Sequence, residues 1–170
     1  MHQPSNGGTG TLLQSARQSI GRLFLHDHRE YRAEARQSDG VACPECHASV
    51  RDGRWQWLEA EPDAAEVRCP ACRRIDDDFP AGFVSIEGEF FDRHRVELMN
   101  LVQTRANRAV AEHPLRRLMG SSDTPEGVLL RTTDTHLAHE FGTALHDDYG
   151  GAVNFRYESD NEMLRVHWAR

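Results

Sequence analysis

Four cysteines are the residues of this chain best equipped for chemistry, and their spacing narrows what that chemistry is. They stand as Cys43-Pro44-Glu45-Cys46 and Cys69-Pro70-Ala71-Cys72, separated by twenty-two residues, and the chain has no others. Two residues between thiols lets one tight turn aim both sulfurs at a point, so two such turns offer four soft ligands in a tetrahedron, the arrangement zinc prefers. The expectation is one structural Zn2+ held by Cys43, Cys46, Cys69 and Cys72.

Between the knuckles, 54–58 and 65–68 read as short strands leading out and back, which makes residues 41–82 a zinc ribbon. Three rivals use the same thiols. A rubredoxin-like iron site usually carries glycine soon after the second cysteine, where this chain has His47 and Arg73. A thioredoxin-type dithiol needs a single C-x-x-C opening a helix in a βαβ unit. Catalytic zinc needs an open coordination position, and four thiolates leave none. His47 is expected beside the ligand set rather than in it.

Other constellations are weaker. Trp55 and Trp57 are two apart, so on a strand both rings face one side; there they either cover the small ribbon core or form a stacking platform for unpaired bases. Arg105 and Arg108 share a helix face, and Arg116 and Arg117 follow directly after the helix break, so these four are the candidate phosphate contacts. The alternative for them is a solvated face with local salt bridges, for instance to Glu112. His136, His139, Glu140, Thr143 and His146 fall on one polar arc of a helix, an arrangement open to a metal-dependent enzyme. It lacks the i, i+4 spacing and general base of H-E-x-x-H. Asp76-Asp77-Asp78 reads as a solvated acidic turn, because a contiguous triplet cannot surround a cation. No phosphate-loop, dinucleotide or nucleophile-elbow motif occurs, which counts against an enzyme.

These residues must be positioned by 170 residues, 38% of them hydrophobic, enough for a modest core. The formal charge of -7 opposes a broad nonspecific nucleic-acid binder, and four thiolates on one dication lower it further. Every basic residue is arginine, which suits phosphate and base stacking but is also what a GC-rich genome produces. Residues 83–120 are the least acidic part, with six arginines against five acids. No apolar run approaches a membrane span, and the N-terminus lacks the basic and apolar regions of a signal peptide, so a cytoplasmic setting with reduced thiols is expected.

Residues 1–40 read as a flexible N-terminus with a short amphipathic helix from Leu12 to Leu25, followed by a mixed-charge linker containing His26 and His28. After the ribbon, 82–87 alternates as a strand, and a long helix from about Glu89 to Glu112 is stopped by His113-Pro114. A helical turn over 115–119 and a loop over 121–125 are expected next. Residues 128–132 then form a strand, Asp134 caps a helix from Thr135 to Tyr149, and alternating runs at 153–157 and 164–168 make a hairpin. The fold class is therefore α+β: a four-cysteine zinc ribbon followed, over residues 83–170, by a β-α-β-α-β-β domain with a mixed four-stranded sheet.

That element order resembles the C-terminal domain of bacterial translation initiation factor three and related small RNA-binding modules. A second resemblance, to a family of small bacterial zinc-ribbon proteins, rests on the two C-P-x-C knuckles, Gly53-Arg54-Trp55-Gln56-Trp57, Arg73-Arg74-Ile75-Asp76, Phe79-Pro80-Ala81-Gly82, His94-Arg95, His113-Pro114-Leu115, the run from Thr132 to Ala138, and Arg165-Val166-His167-Trp168. It implies a zinc-binding module and no particular activity. The function expected is a non-catalytic zinc-binding module contacting structured RNA or the ribosome, with a protein-binding adaptor as the alternative and an enzyme on the His136–His146 face as the second.

Overall fold

The computed structural model describes residue 31, residues 37–158 and residues 162–170. The expected helix from Leu12 to Leu25 and the histidines at 26 and 28 lie outside the described residues. The cysteine lobe is a small sheet of β1 (Val41–Ala42), β2 (Ser49–Arg51), β3 (Arg54–Gln56) and β4 (Ala65–Glu66), in the order β3-β2-β1-β4. β1 and β2 pair antiparallel, as do β2 and β3, while β4 lies parallel to β1. The two strands expected between the knuckles therefore do not pair with each other; each finds a partner beside the first knuckle.

A helix not anticipated from the sequence follows, α1 (Pro70–Asp76). Pro70 stands at its first position, where a missing N–H costs nothing, and Cys69 is its N-cap, accepting from the Cys72 N–H. The second knuckle is thus the first turn of a helix. Its far end is clamped by Tyr31, whose hydroxyl donates to Asp77 at 2.6 Å and whose ring stacks on Phe79 under the Arg74 guanidinium.

The larger lobe contains β5 (Gly82–Glu87), α2 (Glu89–Glu112), β6 (Leu118–Thr124), β7 (Gly127–Thr132), α3 (Thr135–Tyr149), β8 (Ala152–Glu158) and β9 (Met163–Ala169). Its mixed sheet has five strands, in the order β6-β7-β5-β9-β8, with β5 and β9 parallel and all other neighbours antiparallel. This corrects the four-stranded expectation. The helical turn and loop assigned to 115–125 give way to β6, which hydrogen-bonds along β7 as an edge strand with a register shift between Leu118 and Gly120. Few of its side chains are apolar, so only the neighbouring strand defines it.

Alternation along the strands builds the core. Val84 and Ile86, Val128 and Leu130, and Leu164, Val166 and Trp168 point to one face, where Leu98 and Val102 of α2 and Leu137, Phe141 and Leu145 of α3 cover them. α3 starts at Asp134, whose carboxylate accepts from the Leu137 N–H at 2.8 Å, and joins β7 to β8, which run parallel with two strands between them. Trp168 is fully buried and ties the end of that crossover, its indole N–H donating to the Gly150 carbonyl at 2.8 Å. α2 bends at His94, whose backbone leaves the helical region. The other sheet face, Phe83, Ser85, Leu129, Arg131, Asn154, Arg156, Arg165 and His167, is half-buried or exposed. Among the described residues no helix is long and apolar enough to cross a membrane.

Candidate metal centre

The four sulfurs meet. Those of Cys43, Cys46, Cys69 and Cys72 all lie within 4.8 Å of one another, the single grouping of metal-ligand atoms among the described residues. Cys46 Sγ is 3.7 Å from Cys69 Sγ, a close approach that runs between knuckles rather than within one. Zinc–sulfur bonds of about 2.3 Å in a regular tetrahedron separate the sulfurs by about 3.8 Å. The donor set therefore fits one thiophilic cation after small adjustment.

Local structure explains why. In the first knuckle the Cys43 N–H donates to Ala48 O at 2.8 Å and the His47 N–H to Cys43 O at 2.9 Å, closing a turn around Cys46. The turn requires left-handed backbone at His47, φ 62°, a conformation glycine adopts at less cost. His47 thus follows the knuckle as part of its turn, consistent with a place beside the ligands. In the second knuckle, helical geometry sets Cys72 three residues beyond the Cys69 cap.

Donors also aim at the sulfurs. The Cys69 N–H reaches Cys43 Sγ at 3.3 Å and the Cys72 N–H reaches Cys69 Sγ at 3.4 Å. From the other lobe, the Arg117 guanidinium places Nη1 3.4 Å from Cys72 Sγ and Nη2 4.0 Å from Cys69 Sγ. Arg117 is itself fixed: Nε donates to Pro114 O at 2.7 Å, and its backbone N–H donates to Thr133 Oγ1 at 2.8 Å. Burial alone would lower the pKa of this guanidinium, yet the sulfurs of Cys46, Cys69 and Cys72 outweigh it and hold the pKa above its usual value.

Left without a cation, the cluster cannot ionise fully. Burial pushes the Cys69 thiol up to about 12, and charge on Cys46 and Cys43 adds to the rise. Cys72 is raised as well, first by burial and then by Cys69. Cys43 comes down, to about 7: burial would raise it, but backbone N–H groups of Cys69, Cys46 and Glu45 overcome that effect. One thiolate forms readily and opposes the next, so a divalent ion is what allows all four to lose their protons.

No family model, curated protein or solved structure matches the chain.

Each arginine singled out for nucleic acid has an acidic or sulfur partner. Arg105 faces Asp148 at 3.7 Å, Arg108 bonds Glu112 at 3.0 Å, and Arg116 faces Asp134 at 3.9 Å. Arg117 serves the sulfurs, which corrects its placement among the phosphate contacts. Trp55 is 6% exposed inside the cysteine lobe and offers no ring face for stacking, which corrects its place in a platform. Trp57 is not beside it: β3 ends at Gln56, so strand alternation stops before the second ring. Instead, Trp57 donates from Nε1 to the Val110 carbonyl at 2.5 Å, near the C-terminal end of α2, and the Arg117 guanidinium sits 5.7 Å over its ring. The two lobes are joined there.

The histidine helix borders an open cleft of about 770 Å3, lined by residues including Arg105, His136, His139, Glu140, Asp147 and Tyr157. His136 bonds Asp134 at 3.0 Å, His139 stacks on Phe155 at 4.5 Å, and His146 donates to the Gly151 carbonyl at 3.0 Å. Each imidazole is thus occupied separately, and the three do not converge as metal ligands. The acidic triplet is likewise dispersed: Asp76 bonds Arg68, Asp77 bonds Tyr31, and Asp78 bonds Arg131. Sequence reasoning missed the roles of Arg117 and Tyr31, both of which depend on partners more than forty residues away.

Proposed function

We propose that this chain is a zinc-binding, non-catalytic binding module in which the metal is structural. The observation that carries the reading is four sulfurs within 4.8 Å of one another, with the Arg117 guanidinium directed at two of them. Zinc is favoured over iron because four thiolates suit its tetrahedral preference and the chemistry asked of the site is cohesion, not redox. The cysteine lobe buries only Val41, Ala48, Val50, Trp55 and Ala71 beside its cysteines, too little apolar surface to fold on its own. The ion substitutes for the missing core. On this reading the lobe is a zinc ribbon modified by a helical second knuckle.

RNA is the partner class we assign to the module, through a surface other than the end of α2, where Arg117 is turned to the sulfurs and the Arg105 and Arg116 side chains are only 33% and 31% exposed. A protein partner is the competing assignment, favoured by the formal charge of -7. The test of the metal reading is elemental analysis of chain purified without added metal. One zinc per chain, lost when Cys46 and Cys69 are both changed to serine, is the expected result; iron in its place, or no bound metal, refutes it.

A further inference from the structure

We infer that the open face of the five-stranded sheet is a docking platform for a short unpaired nucleic-acid strand, with Arg131, Phe83, Arg165 and Arg156 as its central row. This inference rests on the reading of the chain as an RNA-binding module and adds the surface and the form of the ligand. Strand register builds the row. Phe83 on β5 is opposite Arg131 on β7 and Arg165 on β9, and Arg165 is opposite Arg156 on β8. Four neighbouring strands put these residues across about 14 Å of one flat surface. The adjacent row, Leu129, Ser85, His167 and Asn154, follows from the same register and adds hydroxyl, imidazole and amide groups.

The chemistry of the row matches a single strand. The Arg165 guanidinium lies 4.6 Å over the Phe83 ring, so the centre of the sheet presents a guanidinium backed by an aromatic ring. Bases stack on aromatic rings and on guanidinium planes alike, and such stacking tolerates any sequence. Arg156, 74% exposed, flanks this centre on β8 and is placed for a phosphate, while Arg131, 29% exposed and paired with Asp78, borders it on β7. A duplex is a poorer fit, because its bases are already stacked and hidden.

Charge favours the same face. By alternation it carries Arg131, Arg156 and Arg165, with His167 beside them, against Glu87, Glu158 and the Asp78 that pairs with Arg131, so it is about neutral where the chain as a whole is at -7. Glu158 accepts from Arg156 and Arg165 at 3.4 Å each, His167 bonds Glu87 at 2.9 Å, and Asp78 pairs with Arg131 from the turn after α1. The Arg156 and Arg165 side chains are 74% and 49% exposed, and ion pairs so well solvated contribute little and yield readily to phosphate. By comparison, Trp55 is buried, and Trp57, though 42% exposed, is bonded to α2 through its indole N–H and lies under the Arg117 guanidinium.

The experiment measures fluorescence anisotropy of full-length, zinc-loaded protein with labelled oligouridylate and oligothymidylate of about twelve nucleotides, the matching duplex and an RNA hairpin. Expected are single-strand binding that weakens steeply with salt, weaker binding of the duplex, and at least a roughly tenfold loss for Arg156→Glu/Arg165→Glu with unchanged melting. Phe83→Leu, which keeps an apolar side chain in place, should lose severalfold, and Arg105→Glu/Arg108→Glu should bind as the parent does. Oligouridylate should be the stronger of the two single strands; if oligothymidylate is, the platform stands and the RNA reading is overturned. If the hairpin binds but the single strands do not, or if the α2 pair matters and the sheet pair does not, the platform is overturned while the RNA reading stands. If no nucleic acid binds at low salt, both are overturned.

Discussion

The Arg117 guanidinium donates to Cys72 Sγ at 3.4 Å, although the two residues are 45 apart in sequence and belong to different lobes. The contact puts a cation beside four sulfurs positioned to bind a metal ion. It also links metal binding to lobe docking, because the same guanidinium lies over Trp57, and the Trp57 indole is bonded to the end of α2.

Arg117→Met keeps an apolar stem but removes both the donors and the charge. We expect zinc affinity to fall about 10- to 100-fold, the range typical when a partner of the metal ligands is lost. Competition with a chromophoric chelator measures this. Arg117→Lys restores charge without the fork and should recover only part of the loss. Unchanged affinity in both variants would show that the guanidinium merely fills space.

Removal of the metal should unfold one lobe and spare the other. Structural zinc contributes on the order of 10 kcal/mol in small modules, whereas the larger lobe has its own core around Leu98, Leu130, Phe141 and Trp168. Excess chelator, or Cys46→Ser, should abolish the amide protection of β1 and β2 while leaving that of β5 and β9 intact in hydrogen exchange. Acid should act in the same way as the thiolates regain protons, and loss of protection in both lobes together would contradict this.

The legible parts of the molecule are the local ones. Metal-ligand pairs must fall within a turn, so Cys43, Cys46, Cys69 and Cys72 identify themselves by spacing, and α2, α3, β5, β7, β8 and β9 follow from periodicity. β6 escaped because Gly120, Ser121, Ser122 and Asp123 have the composition of a loop and become strand only against β7. α1 was signalled by Pro70 after a capping residue, but cysteine as the cap hid the signal. Trp57 was misplaced by one feature, the end of β3 at Gln56, which reverses an inference built on alternation. Nothing local to Arg117 indicates a sulfur as its partner.

His136 offers a pH signature. Its hydrogen bond to Asp134 raises its pKa above the ordinary value near 6.5, against a smaller opposing effect of burial. A pKa raised in the folded state gives stabilisation that is complete below the unfolded value and fades as pH rises through the folded one. NMR titration should place the His136 midpoint above that of an unstructured histidine. Asp134→Asn, which can still cap α3, should return it toward normal; a midpoint unaffected by that change would refute the pairing.

Gly142 tests the packing of α3 against the sheet. Glycine within a helix costs about 1 kcal/mol relative to alanine, so Gly142→Ala ought to stabilise the chain if propensity decided the matter. A methyl group there would meet Val166 Cγ1 at 2.5 Å and Phe155 Cε1 at 2.9 Å, both in side chains packed with the core. Overpacking of this kind costs about 1–3 kcal/mol, which cancels or exceeds the helical gain. Gly142→Ala should therefore leave stability unchanged or lower it by up to about 2 kcal/mol in urea denaturation, and a clear increase would mean that β8 and β9 can move away from the helix at little cost.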